Sequence, residues 1–273
     1  MRRRDFILGL SCAIALTPVS AVAQPSGSVR QIGVVMALAV DDPDAAPRVE
    51  VFEQALQKLG WRKGANIHLE YRWPGSSDGN RIRSSAREIV SLRPDVILAH
   101  ATPALAALRQ ETSSIPIIFV QVIDPVSRGL INSLARPGGN ITGFTNFEFP
   151  MGGKWVELLR EIDPSAARVA VLFNPRTAPY GGQFFEQIRN SSTSLGMEAS
   201  EARVHEIADI ERAISRIGSE ANGGLIVLPD TFTALHRDLI IALANRHRLP
   251  TVYPFRYFVT RSGLASYGVD AYD

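Results

Sequence analysis

The sequence is poor in cysteine and has no long uninterrupted hydrophobic run. Its single cysteine, Cys12, lies within the first 23 residues. Without that segment the chain has no thiol for a disulfide or a thiolate metal site. Residues 6–22 are largely apolar, but glycine, serine, threonine and proline interrupt them. They are therefore a poor match to a membrane span of about 20 residues.

The first 23 residues instead have the pattern of an export signal. Residues 2–4 are three arginines, an apolar stretch follows, and Ala21-Val22-Ala23 precedes Gln24. Residues 3–7 resemble the twin-arginine pattern, so the Tat and Sec routes both remain open. We therefore expect a signal peptide at residues 1–23, export to the periplasm, and no stable membrane insertion once the signal is removed.

The chain also lacks an excess of charge of either sign once the signal is set aside. Residues 1–23 hold three of the 29 basic residues and one of the 27 acidic residues, which leaves 26 of each. A protein that binds polyanions keeps clustered lysines and arginines in its folded part. We therefore expect no nucleic-acid partner.

Signatures of nucleotide and metal binding are lacking as well. The chain contains no P-loop and no G-x-G-x-x-G fingerprint. Its histidines show no short metal-ligand spacing, since they stand at positions 68, 100, 205, 236 and 247. We expect no cofactor, no metal and no enzymatic activity. An exported α/β enzyme stays open as an alternative, because many hydrolases carry no short motif.

Apolar runs and helical patterns alternate along almost the whole chain. Hydrophobic residues make up 45% of the 273, which suffices for one large core or two modest cores. Apolar runs predict buried strands at residues 30–39, 95–99, 117–122, 168–173 and 225–228. Strict alternation over residues 66–73 predicts a half-buried strand near a sheet edge. Strands separated by helices predict parallel sheets with right-handed crossovers.

The second half of the sequence echoes the first. Phe52-Glu53-Gln54 returns as Phe185-Glu186-Gln187, and Val96-Ile97-Leu98 returns as Leu225-Ile226-Val227. Residues 136–144, rich in turn formers, separate the halves. We predict two lobes of like topology, although chance similarity between βα units is the alternative. The first lobe comprises residues 30–143 plus about 257–273, and the second comprises residues 144–256.

Three shorter segments also receive predictions. Residues 233–246 are expected to form one helix, and residues 127–134 another. The run Gly-Leu-Ala-Ser-Tyr-Gly at residues 263–268 is expected to form a strand that returns towards the first lobe.

Short motifs with a characteristic order and spacing follow the signal. They stand at residues 60–71, 93–97, 115–117, 124–126, 137–143, 171–175, 249–250 and 265–268. Together they resemble the ABC-transporter substrate-binding proteins related to the tryptophan-binding type. The resemblance implies a type I periplasmic-binding fold, in which two Rossmann-like lobes with parallel sheets are joined by a hinge of three strands. Members of that family usually continue past the last motif, so we expect this chain to lack its C-terminal end.

The resemblance implies a carrier. Such a protein is the solute-binding subunit of an ABC importer, and its lobes close around a small molecule, here an amino acid or related carboxylate. Its partners are an ABC permease and the ATPase of that permease. A ligand-sensing module for a receptor stays open as an alternative. A LacI-like repressor is disfavoured, because an export segment stands where DNA-binding helices would be and no basic patch remains.

Polar and aromatic residues near the ends of the apolar runs are the candidate ligand contacts. Ligands of open α/β sheets bind beyond the carboxyl ends of the strands, next to helix N-termini. The candidates are Thr102, Asp124, Asn146, Asn174, Asp230, Tyr253 and Tyr267. Structural roles as caps, turns or core aromatics are the alternatives. Replacing Asp230 with alanine is expected to weaken binding with little loss of fold.

Overall fold

The computed structural model describes residues 29–75 and 79–269, so the signal segment and Cys12 lie outside the described residues. The first lobe is built on a five-stranded parallel sheet. Its elements are β1 (Arg30–Met36), α1 (Ala45–Lys58), β2 (Ile67–Arg72), α2 (Gly79–Ser91), β3 (Val96–His100), α3 (Thr102–Glu111), β4 (Ile117–Val122) and β5 (Ile141–Thr145).

The second lobe is built on another five-stranded parallel sheet. Its elements are α4 (Met151–Ile162), β6 (Arg168–Phe173), α5 (Gly181–Ser194), β7 (Glu198–Arg203), α6 (Ile207–Ser219), β8 (Gly223–Val227), α7 (Thr231–Leu235), α8 (Arg237–Arg246), β9 (Thr251–Tyr253), α9 (Arg256–Val259) and β10 (Ala265–Ser266). Within the described residues the chain passes between the sheets once, from β5 to α4.

The two sheets have the same topology. Their spatial orders are β2-β1-β3-β4-β5 and β7-β6-β8-β9-β10, so each lobe places its second strand at one edge, beside its first. The prediction of two like lobes is confirmed, and so is the edge position of the strand within residues 66–73. In such a sheet the chain reverses direction between the first and third strands, which opens a crevice at their carboxyl ends.

Close packing of helices on the sheets explains several small residues. Gly33 in β1 faces α2, and a Cβ atom there would lie 2.5 Å from the Cγ2 atom of Ile89. In the second lobe Trp155 of α4 is fully buried in the main core cluster. None of the described helices is long and apolar enough to cross a membrane.

The face of the first sheet that carries α1 is only partly covered. A groove of about 1170 Å³ remains beside α1, over β3, β4 and β5. The side chain of Phe144 in β5 lies in this groove, and the residue is 73% exposed. In the second lobe α4 and α5 pack on each other. Among the described residues this face therefore carries two helices in the second lobe and one helix, α1, in the first.

Three of the local predictions are wrong. Residues 127–134 form turns, because Gly129 adopts a positive φ of 61° that ends any helical path. The helix predicted over residues 233–246 is split at His236 into α7 and α8. The strand near residue 265 pairs with β9 in the second sheet and does not return to the first lobe. An indole hydrogen bond from Trp155 Nε1 to the Tyr267 carbonyl, 2.7 Å long, holds it there.

Arg237, at the start of α8, joins the two lobes through a buried ion pair. Its Nη1 and Nη2 atoms donate hydrogen bonds of 3.0 and 2.9 Å to the two carboxylate oxygens of Asp42. Asp44 lies 3.4 Å from the same guanidinium. The side chains of Arg237 and Asp42 are only 5% and 3% exposed. Because Asp42 and Asp44 follow β1, the pair links the lobes in a closed arrangement.

Replacing Arg237 with methionine is expected to favour separation of the lobes. The change leaves Asp42 buried without the cation that it pairs with, and breaking a buried pair costs about 3–5 kcal/mol. Opening relieves that cost because the carboxylate regains water. Small-angle X-ray scattering should therefore give a larger radius of gyration than for the parent protein. The control is Arg189→Met, which removes an exposed arginine paired with Glu186, and an unchanged radius for Arg237→Met would contradict the expectation.

Candidate functional site

A small cavity of about 40 Å³ lies where the two lobes meet. The first lobe lines it with α1 and with the residues at or after the ends of β1, β3, β4 and β5. The second lobe lines it with the loops after β6, β8 and β9 and with α7. Each lobe therefore presents the carboxyl ends of its strands, the position at which open parallel sheets bind ligands.

The first-lobe wall centres on His100, the last residue of β3. Arg48 of α1 donates a hydrogen bond of 2.9 Å from Nη1 to the Nε2 atom of this histidine. A guanidinium only donates, so Nε2 is the unprotonated nitrogen and Nδ1 carries the proton of the neutral ring. Burial, and next the charge of Arg48, lower the pKa of His100 to about 3, so the ring is neutral at pH 7.

The second-lobe wall is organised by Asp230, the N-cap of α7. Its carboxylate accepts hydrogen bonds from the backbone N–H of Asn174 (2.8 Å), the backbone N–H of Phe232 (3.0 Å) and the Thr177 hydroxyl. Burial raises the pKa of Asp230 to about 6, and these donors act in the opposite direction. The carboxylate thus ties the loop after β6 to the loop after β8.

Several polar atoms in the cavity wall have no hydrogen-bond partner among the described residues. They include His100 Nδ1 and Asn146 Oδ1 in the first lobe and Thr231 Oγ1 in the second. Buried polar groups in folded proteins are nearly always paired with protein or water. Unpaired donors and acceptors on both sides of one cavity therefore indicate a site for a polar ligand.

The backbone around the first-lobe wall is strained. Ala101, Gln121 and Asp124 have positive φ angles of 71°, 56° and 47° at the ends of β3 and β4. Non-glycine residues in this conformation cluster at binding sites, where the surrounding structure holds them. Ala101 and Gln121 both line the cavity.

Three of the seven residues predicted from the sequence line the cavity: Thr102, Asn146 and Asp230. Thr102 begins α3, and its Oγ1 atom accepts a hydrogen bond of 3.4 Å from the backbone N–H of Ile123. Asn146 lies just after β5. Asp230 lies in the cavity wall, but its carboxylate oxygens accept hydrogen bonds from protein groups.

The other four lie outside the cavity lining in this closed arrangement. Asp124 accepts a hydrogen bond of 3.2 Å from the backbone N–H of Ser127 in a turn, and Asn174 accepts one of 2.9 Å from that of Arg176. Tyr253 is fully buried and stacks on a core phenylalanine. Tyr267 is 47% exposed. Asp124, Asn174 and Tyr253 thus make the turn and core contacts that were the alternatives.

The structure also brings in residues that the sequence did not single out. Arg48 and Tyr257 line the cavity, yet one lies inside a helix and the other was assigned to the first lobe. No local pattern points to either residue. His100 did carry a signal, since it directly follows a predicted strand and stands two residues before Thr102.

The large groove beside α1 is a weaker candidate than the cavity. Its lining is mostly apolar and comes from the side of the first sheet. Arg48, His100, Gln121 and Asn146 line both spaces, so the groove adjoins the cavity at this corner. Among the described residues no group of acidic, histidine or cysteine side chains could hold a metal ion.

A short serine motif follows β2 in the sequence. Residues 75–79 read Gly-Ser-Ser-Asp-Gly and match the G-x-S-x-G pattern of a nucleophile elbow. They follow β2, the edge strand of the first sheet, and residues 76–78 lie outside the described ranges. The described residues of this motif, Gly75 and Gly79, do not line the cavity.

Comparisons with known proteins find a matching family and a relative of similar sequence. A family model described as ABC transporter substrate binding protein matches residues 31–273. The tyrosine-binding protein of Clostridioides difficile is 26% identical over 243 residues, which cover 89% of this chain and 69% of that protein.

Two solved structures share the fold. A conserved domain protein from Vibrio cholerae is 28% identical, with a TM-score of 0.80, over 90% of this chain and 80% of that one. An ABC domain from Streptococcus pneumoniae in complex with L-Trp is 20% identical, with a TM-score of 0.81, over 90% of this chain and 81% of that one. Both are similar to this chain across its two lobes.

Asp230→Ala is now expected to destabilise the fold. The change leaves the Asn174 and Phe232 N–H groups and the Thr177 hydroxyl buried without an acceptor, at about 1–3 kcal/mol for each group. Chemical denaturation should show a loss of about 3 kcal/mol or more in the free energy of unfolding. Asp238→Ala, which removes an exposed carboxylate, should stay within about 0.5 kcal/mol. Equal stability of the two variants would contradict the role assigned to Asp230.

His100 is expected to make stability fall as the pH falls below about 6.5. Its folded pKa, about 3, lies below the ordinary value of 6.5, so the unfolded chain takes up the proton first. Between pH 7 and pH 5 this linkage removes about 2 kcal/mol of unfolding free energy. The loss should be absent from His100→Gln. Denaturation of both proteins at both pH values measures it, and parallel pH profiles would exclude a buried neutral His100. The opposite contribution of Asp230 is common to both proteins and cancels.

Proposed function

Because the chain belongs to the family of ABC transporter substrate-binding proteins, we propose that it is the periplasmic solute-binding subunit of an importer. The two lobes close around one small molecule, and the closed form delivers that molecule to a membrane permease. The ATPase of the permease supplies the energy. The solute is an amino acid or a related carboxylate with an aromatic ring.

The observation that carries this proposal is the unpaired polar lining of the inter-lobe cavity. His100 and Asn146 on one lobe and Thr231 on the other have buried polar atoms without partners among the described residues. A ligand that bonds to both walls stabilises the closed arrangement over the open one. The closed conformation is then populated mainly when a ligand is bound, so a permease that recognises this conformation selects the loaded carrier.

The size of the cavity supports a mechanism in which the lobes open first. Pockets for small molecules usually measure about 300–1000 Å³, whereas this cavity measures about 40 Å³. An amino acid therefore enters only after the lobes separate, and they close again around it. The buried pair of Arg237 and Asp42 opposes the first step and favours the second.

Aromatic side chains on the second lobe support the choice of solute. The rings of Phe255 and Tyr257 stack with centroids 5.0 Å apart, and Tyr180 lies against the same cavity. Aromatic walls favour aromatic ligands through stacking and apolar contact. One relative is described as binding tyrosine and another was solved with L-Trp.

The proposal predicts selective stabilisation of the protein from residue 24 onwards. Thermal unfolding should be followed with L-tyrosine, L-tryptophan, benzoate, a nucleoside and a sugar. A bound ligand at 100 times its Kd adds about 2.7 kcal/mol of stability, so at least one aromatic carboxylate should raise Tm in a dose-dependent way. A cooperative transition that none of these compounds shifts would contradict the proposal.

A second prediction concerns the walls of the cavity. Asn146→Ala and Thr231→Val each remove one unpaired polar atom and should weaken binding of the stabilising compound by about tenfold, the cost of one lost hydrogen bond of about 1.5 kcal/mol. Asn190→Ala, on the exposed face of α5, is the matched control. Calorimetric titration measures the three affinities. Unchanged binding in both wall variants would place the ligand elsewhere.

A further inference from the structure

The first-lobe wall of the cavity gathers groups that favour negative charge. Arg48 brings a guanidinium, and His100, bonded to it at 2.9 Å, brings an N–H donor on Nδ1. His100 is only 5% exposed, and its Nδ1 atom has no partner among the described residues. The first turn of α3, with Thr102 and Pro103, forms the adjoining part of the wall. A helix of this length adds a partial positive charge at its N-terminus.

From this juxtaposition we propose that Arg48 and His100, with the first turn of α3, bind the carboxylate of the ligand and so determine that the ligand is an anion. The inference rests on the proposed function and refines it. The planar guanidinium suits a carboxylate, which accepts hydrogen bonds on two oxygens. The hydrogen bond from Arg48 fixes the tautomer of His100, so the imidazole presents a donor and cannot act as a competing acceptor on that side.

Two acidic residues near this wall contact a different cation. Asp42 and Asp44 lie next to α1, and both contact the guanidinium of Arg237. Asp230 belongs to the opposite wall, where its oxygens accept hydrogen bonds from three protein groups. Tyr257 and Phe255 face the cavity from the second lobe. The ligand is therefore oriented with its carboxylate on the first lobe and its ring against the second.

The test compares carboxylates with amides of the same shape. The pairs are L-tyrosine with L-tyrosinamide, L-tryptophan with L-tryptophanamide, and benzoate with benzamide. For the pair that binds, the parent protein should favour the carboxylate by about tenfold or more, as expected for hydrogen bonds to a charged group. Arg48→Met should abolish most of that preference, and His100→Gln should reduce it. Because the ratio of carboxylate affinity to amide affinity is measured within one variant, a lower fraction of folded protein leaves this ratio unchanged.

Arg109→Met is the matched control, because Arg109 is an exposed arginine near the end of α3 and does not line the cavity. It should keep the full preference. If Arg48→Met shows no cooperative unfolding, Arg48→Lys is measured instead. This variant keeps the charge but not the planar fork, and it too should lose most of the preference for the carboxylate. A preference that survives in the Arg48 variant, or equal binding of carboxylate and amide by the parent protein, overturns the subsite and leaves the carrier function standing. Binding of no compound by the parent protein overturns the proposed function itself.

Discussion

The site depends on one constraint, the strand order that both lobes share. In each sheet the first strand lies between the second and the third, so the chain leaves these neighbours in opposite directions and covers opposite faces with helices. The loops at their carboxyl ends are thereby held apart, and their backbone N–H groups and side chains point into a crevice. Two such crevices that face each other make a cavity. His100 at the end of β3 and Asp230 after β8 owe their positions to this arrangement.

Closure adds a second requirement, because charges that are solvated in an open form become buried in the closed one. The bidentate contact of Arg237 with Asp42 satisfies it by pairing charges from the two lobes. A buried pair contributes little net stability compared with apolar residues of the same size, but it is specific for one geometry. It therefore fixes how the lobes meet. The cavity wall holds several buried polar atoms that have no partner among the described residues, and in the proposed mechanism ligand binding completes the closed form.

Asp230 and His100 show how the same local signal leads to different roles. Both follow or end apolar strands, and sequence reasoning treats such positions alike. In the structure the carboxylate of Asp230 accepts hydrogen bonds from protein donors, whereas the Nδ1 atom of His100 has no partner among the described residues. The difference arises from the loops that approach each residue from distant parts of the chain. Asn174, for example, meets Asp230 only because β6 and β8 are neighbours.

The sequence by itself determined most of the elements and their repetition, because hydrophobic periodicity is a local property and the central strands of a parallel sheet are buried on both faces. It also pointed to the carboxyl ends of the strands, and Thr102, Asn146 and Asp230 do line the cavity. Only the tertiary structure decided that β10 joins the second sheet, that Arg48 reaches His100, and that Tyr253 belongs to the core. Pairing, burial and the meeting of lobes join residues far apart in the chain, and no local pattern records those distances.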